Sequence, residues 1–223
     1  MARRKEHTHD EIRAMATAAV LRHLEVEPLD SLSLRKVAAA IGYVPSTLVN
    51  LFGSYQGLLL AVAEQTLDEL YRRLAAKAQA FQDHASQDHA SQDLAVQSQA
   101  SESSQLEAMA TAYQQFAFDQ PRAFQLVFEL KATEEQGLSD HHAQLIAQLF
   151  GLIESCLARL LPELSAEQLL LASRALWGGV HGLVSLALDD KLFAPGIGIE
   201  QAISHHLAVQ LKGLGYDKEA LCC

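Results

Sequence analysis

Apolar positions recur with a helical period along nearly the whole chain, and no segment keeps the alternation of a half-buried strand. The pattern predicts an all-α protein of about nine helices. The first is expected to start near Thr8, whose hydroxyl stands three residues before Glu11 as a capping box requires. Ile12, Met15, Ala16, Ala19, Val20 and Leu24 give it one apolar face, and Glu27-Pro28-Leu29-Asp30 ends it. Two short helices are predicted at 34–41 and 45–52. Ser33 is a natural N-cap for the former, with Leu34, Val37, Ala38 and Ile41 facing inward. Gly42 ends it, and Pro45 suits the first position of the latter. Longer helices are predicted at 55–80, 106–119, 121–131, 138–161, 165–189 and 198–213. Ser165 and Gln168 form a second capping box, with Leu164 and Leu169 in staple positions.

Between 82 and 105 the pattern fails. This stretch holds the direct repeat HASQD and almost no large apolar residue, so it is expected to be a flexible linker or a frayed helical extension. The expected organisation is a helix-turn-helix head over 1–54 and a larger helical body over 55–223.

Composition changes this picture little. With 223 residues, 49% hydrophobic and 20% charged, the chain can bury a sizeable core. No apolar run is expected to span a membrane. The start, MARRKEHTHDE, has basic residues but no apolar core, so it is not expected to be a secretory signal. The three cysteines, Cys156, Cys222 and Cys223, form no disulfide framework, and a reducing cytoplasm fits best.

Charge matters more. A net charge of −10 argues at first against nucleic acid as a partner. Its distribution removes the objection. Residues 1–55 hold 7 Lys+Arg against 6 Asp+Glu, a net of +1, whereas residues 56–223 hold 10 against 21, a net of −11. The acidity belongs to the body. The positive charge of the head is gathered at Arg3-Arg4-Lys5 and Arg35-Lys36.

Two short helices joined by Gly42-Tyr43-Val44 and preceded by a longer helix spell a helix-turn-helix, whose second helix enters the DNA major groove. Leu48 and Phe52 are expected to face the core, and Ser46, Thr47, Asn50 and Leu51 to face outward. Asn50 is a suitable bidentate partner for adenine. Ser33, Arg35 and Lys36 stand where side chains and free backbone N–H groups would grip phosphates.

Residues 10–60, centred on LSLRKVAAAIGYVPSTLVNLFGSYQGLLLAV, resemble the DNA-binding domain of TetR-family transcriptional repressors. The resemblance rests on the Leu34…Val37-Ala38…Ile41-Gly42 run, Thr47-Leu48, Phe52 and Leu58-Leu59. Trp177-Gly178-Gly179-Val180-His181-Gly182-Leu183 is similar to the Trp–His–Gly signature of one group of TetR-type C-terminal domains. Val49 stands where the family usually has a phosphate-contacting Tyr, and Tyr55 where it has a Lys. The DNA-facing set is therefore expected to be Ser33, Arg35, Lys36, Tyr43, Pro45, Ser46, Thr47, Asn50 and Tyr55, with a modest phosphate grip.

The resemblance also implies a small-molecule cavity within 106–190, for which Tyr113, Phe116, Phe128, Trp177 and His181 are the candidates. The effector is expected to be apolar or aromatic. Taken singly, each of these side chains is read first as an ordinary core residue. Apolar stripes on 165–189 and 198–213 suit a four-helix homodimer interface, and a two-fold dimer would read an approximately palindromic operator. The implied function is a ligand-released repressor. The alternative is a helical small-molecule binding protein that no longer reads DNA.

No enzyme is expected, because no nucleophile, acid/base pair or phosphate loop is visible. No cofactor and no metal are expected either. His141-His142 and His205-His206 are adjacent on helices, so each pair points about 100° apart and cannot readily share an ion.

Overall fold

A computed structural model describes residues 7–87, 94–130, 139–192 and 195–216. Arg3-Arg4-Lys5, residues 88–93 of the repeat stretch and Cys222-Cys223 lie outside the described residues. Nine α-helices and no strand occur among the described residues: α1 His9–Val26, α2 Leu34–Ala40, α3 Pro45–Phe52, α4 Tyr55–Gln87, α5 Leu94–Asp119, α6 Pro121–Glu129, α7 Asp140–Leu160, α8 Ala166–Leu188 and α9 Ile199–Gly213. A short 3-10 turn, Leu29–Ser31, follows α1.

Both expected capping boxes form. Thr8 accepts from Glu11 N at 3.2 Å while Glu11 accepts from Thr8 N at 2.7 Å, and Ser165 and Gln168 make the same exchange at the start of α8. Each box satisfies two of the N–H groups that a helix start leaves without partners.

The chain divides into two compact units, one of residues 1–68 with 120–142 and the other of 69–119 with 143–223. The core of the first is built from Ile12, Val20, Val37, Leu48, Leu58 and Val62, all at most 5% exposed, with Ala123 and Leu126 of α6 completing it. Each such Val, Leu or Ile removed from water contributes about 1.5–3 kcal/mol. Arg122 fastens α6 to the end of α1, donating to the Leu24 and Glu25 carbonyls at 3.0 Å each. Those carbonyls are among the acceptors that a helix C-terminus leaves open.

The second unit contains α5, α8 and α9 together with the greater part of α7 and the later part of α4. Helix α5 begins at Leu94, ahead of the expected 106, so the polar stretch is helical from there. Its residues find partners far away in sequence. Gln105, 1% exposed, donates to the Ala78 carbonyl at 2.6 Å, and buried Ser103 accepts from Tyr216 Oη at 3.3 Å. Arg159 clasps Glu102 through Nε at 2.7 Å and Nη2 at 2.9 Å. Beside them Cys156 is fully buried and free, and its burial pushes the thiol pKa up.

Helices α7 and α8 are each long and apolar enough, by length and composition alone, to cross a membrane, although Glu154 and Arg159 interrupt the one and Glu167 and Arg174 the other. Within their unit they are tied by polar side chains, since Arg174 on α8 pairs with Glu154 on α7.

Candidate nucleic-acid interface and effector cavity

The helix-turn-helix is set by its turn. Gly42 adopts φ +77°, the left-handed region open to glycine, which lets Gly42 N and Tyr43 N bond back to the Ala39 and Ala38 carbonyls. Ser33 caps α2 by accepting from Lys36 N at 3.3 Å. Pro45 opens α3, and Leu48 and Leu51 anchor it. Leu51 is 8% exposed and faces inward, contrary to expectation. It lies three residues beyond Leu48, on the same face of the helix.

This packing leaves Ser33, Arg35, Lys36, Ser46 and Asn50 exposed and Tyr43, Pro45 and Thr47 half-buried. Lys36 Nζ reaches back to the Ser31 carbonyl. Tyr43 Oη is 2.9 Å from His7 Nδ1, which ties the segment before α1 to the turn. Nothing local in the sequence marks this long-range pair, which joins residues 36 positions apart. Tyr55 differs from the rest of the set, since its hydroxyl is buried with no partner among the described residues. Desolvation raises its pKa, so it stays protonated and turned inward. Val49 is 42% exposed on α3, so an apolar side chain occupies part of the outward face.

In the second unit Tyr113, Trp177 and His181 come together. The Trp177 indole stacks on the His181 ring with centroids 5.0 Å apart and planes 14° from parallel, and meets Phe150 edge-on at 5.5 Å. Tyr113 Oη lies 2.9 Å from His181 Nδ1 and also hydrogen-bonds the Trp177 side chain. An indole N–H only donates, so the tyrosine oxygen accepts it and passes its own hydrogen to Nδ1. That leaves Nε2–H of a neutral imidazole for Ser185 Oγ, 3.4 Å away. Burial lowers the His181 pKa and raises that of Tyr113, and both shifts keep the pair uncharged.

Against this wall lies a cavity of about 50 Å³, lined by Leu106, Met109, Tyr113, Ile153, Trp177 and Val180 among other apolar side chains. Phe116 is fully buried with the Arg73 guanidinium 5.0 Å above its ring and is not a lining residue, and His181 touches the cavity only through its partners Tyr113 and Trp177. Phe128 belongs to the first unit, where it packs on Phe124 at 4.9 Å. Ser185 was missed, although Trp177, His181 and Ser185 recur every four residues along one face of α8.

The glycines of α8 divide by role. A Cβ on Gly179 would lie 2.1 Å from the His206 ring, so any side chain there must displace that half-buried imidazole. Gly178 and Gly182 face open space along an apolar groove of about 1150 Å³ between α8 and α9. The expected stripes are partly used within the unit: Ala172, Leu176, Ile203, Leu207 and Leu211 are buried, while Leu186 and Val209 remain exposed beside the groove. No group of histidine, cysteine and carboxylate side chains suited to a metal occurs among the described residues.

Residues 106–209 match the model of the tetracyclin repressor-like C-terminal domain. No curated protein matches the chain. Among solved structures, a protein of unknown function from Rhodococcus sp. RHA1 superposes with a TM-score of 0.67 at 18% identity, covering 97% of this chain and 100% of its own. A TetR family transcription regulator from Marinobacter aquaeolei VT8 gives 0.55 at 17%, covering 89% and 95%. The multidrug binding protein EbrR, complexed with imidazole, gives 0.55 at 19%, covering 94% and 97%. Residues 106–209 thus resemble a tetracyclin repressor-like C-terminal domain, and the chain shares the all-α fold of a solved TetR family transcription regulator.

Proposed function

We propose that this chain is a cytoplasmic, non-enzymatic transcription regulator that binds a palindromic operator as a homodimer and is released by a small molecule. One observation carries the reading: a helix-turn-helix presents Ser46 and Asn50 outward in one unit, and the other holds an apolar cavity beside a hydrogen-bonded Tyr113–His181 pair. The head, residues 1–54, reads DNA through Ser33, Arg35, Lys36, Tyr43, Pro45, Ser46, Thr47 and Asn50. Tyr55, with its hydroxyl buried, supports the start of α4. The body, residues 55–223, binds the effector and dimerises. The groove between α8 and α9, floored by Gly178 and Gly182, supports dimerisation there, since glycines let a partner helix approach closely.

Helix α4 supplies residues to both units and is the natural transmitter. An effector that prefers the DNA-incompetent arrangement weakens operator binding by its differential affinity for the two states. The exposed Val49 and the inward Tyr55 favour one second reading, a small-molecule binding protein with no DNA target. Selection of bound duplexes from a random pool, with the native chain and with Asn50→Ala, separates the two. A regulator enriches a palindrome, and Asn50→Ala relaxes one base pair in each half-site by about 1–3 kcal/mol. Enrichment of nothing by the native chain would contradict the regulator reading.

A further inference from the structure

We infer that the effector of this cavity is an uncharged, hydrocarbon-like molecule, aliphatic or aromatic, and that carboxylate and ammonium ligands are excluded. The inference rests on the effector-binding reading of the second unit. Two features carry it. The first is the lining: no Lys, Arg, Asp or Glu contributes to the wall among the described residues, so a ligand charge would be buried without a counter-ion. Such burial is prohibitive. On the lining helices, Arg73 is engaged elsewhere with Glu69 and Asp119, and Arg174 with Glu154.

The second feature is that the two lining residues with polar side-chain atoms, Tyr113 and Trp177, have them paired with each other and with His181, which itself does not line the cavity. The Trp177 N–H meets the Tyr113 hydroxyl, the hydroxyl meets His181 Nδ1, and Ser185 receives the other ring nitrogen. A ligand that demanded a hydrogen bond would have to break this chain and leave one of its members unpaired. What the wall offers without cost is apolar surface and aromatic faces. Polar handles usually fix a ligand's orientation in such pockets. Here they are already committed, so shape and hydrophobicity select.

At about 50 Å³ the cavity holds little more than one or two waters, so a ligand must push its walls apart. Trp177 is the side chain through which that motion is read. It is the only tryptophan in the chain, it lines the cavity, and it is stacked on His181.

The test uses three molecules of one shape: propylbenzene, 3-phenylpropanoate and 3-phenylpropylammonium. Each is titrated into the full-length protein at neutral pH, in the absence of DNA, with Trp177 emission and melting temperature as readouts. The expected result is that propylbenzene shifts the emission and raises the melting temperature, with both ions binding at least about 100-fold more weakly. Met109→Ala enlarges the cavity and should tighten propylbenzene binding by about three-fold or more. Ile153→Val, a smaller truncation that spares the fold, should act in the same direction.

Binding of either ion as tightly as propylbenzene overturns the inference, and so does failure of all three to bind. An apolar ligand that binds but never alters DNA binding leaves the ligand class standing and sinks the regulator. A charged ligand that releases DNA does the reverse.

Discussion

Trp177 stacks face to face on His181, one turn further along α8, with ring centroids 5.0 Å apart, and Tyr113 of α5 hydrogen-bonds both side chains. Three residues from two helices thereby form a neutral wall whose polar atoms are all used. The arrangement lets a large, half-buried aromatic line a cavity while its N–H stays paired.

Tyr113→Phe removes the central hydroxyl and strands the Trp177 N–H and His181 Nδ1. The loss of stability should be about 1–3 kcal/mol. Urea unfolding should show a lower midpoint with an unchanged slope. An unaltered midpoint would mean that the bonds contribute nothing.

Burial holds the imidazoles of His142 and His181 below their ordinary pKa of 6.5, with Glu64 partly opposing the shift at His142. Above pH 6.5 both are neutral, folded or unfolded. As pH falls through 6.5 the unfolded chain takes up protons that the folded chain accepts only at lower pH, so stability drops. The melting temperature should therefore fall from pH 7 to pH 5. The fall should be shallower in a His142→Asn, His181→Gln double variant, and an identical slope would refute the assignment.

Gly179 and Gly178 are neighbours with opposite predictions. Gly179→Ala drives a methyl into the His206 ring, and overpacking of this kind costs about 1–3 kcal/mol, partly offset by better helix propensity. Gly178→Ala meets open space in a single chain and should stabilise it by up to about 1 kcal/mol. If the groove is the dimer interface, Gly178→Ala should also weaken association in sedimentation equilibrium. Stabilisation with unchanged association would move the interface elsewhere.

Salt dependence tests the phosphate grip. Arg35 and Lys36 are the exposed cations of the DNA-facing set, so a dimer neutralises about four phosphates and the slope of log K against log salt should be near −4. Arg35→Ala should flatten it by about two. A slope near −10 would show that the tail or the body contributes most of the contacts.

Much of the fold was legible because its signals are local. Thr8 with Glu11, Ser165 with Gln168, Gly42 and Pro45 each act within a few residues, and they mark helix ends that the structure reproduces. The start of α5 was not legible. Ser103 and Gln105 look like linker residues and are buried only because Tyr216 and the Ala78 carbonyl meet them. The cavity wall was half legible. Residue type nominated Tyr113, Trp177 and His181, but type alone does not say which core an aromatic joins, and Phe128 sits in the other unit against Phe124. Leu51 faces inward because the buried face of α3 is wider than the Leu48–Phe52 spacing suggested.

The most direct test of the central claim is a footprint of the purified protein on the DNA upstream of its own gene, at low salt, before and after adding a cavity-binding molecule. The account predicts protection of an approximate palindrome with half-sites about one helical turn apart or a multiple of it, and loss of that protection as the molecule saturates. No protected site at any protein concentration, with or without cell extract as a source of co-ligand, would contradict it.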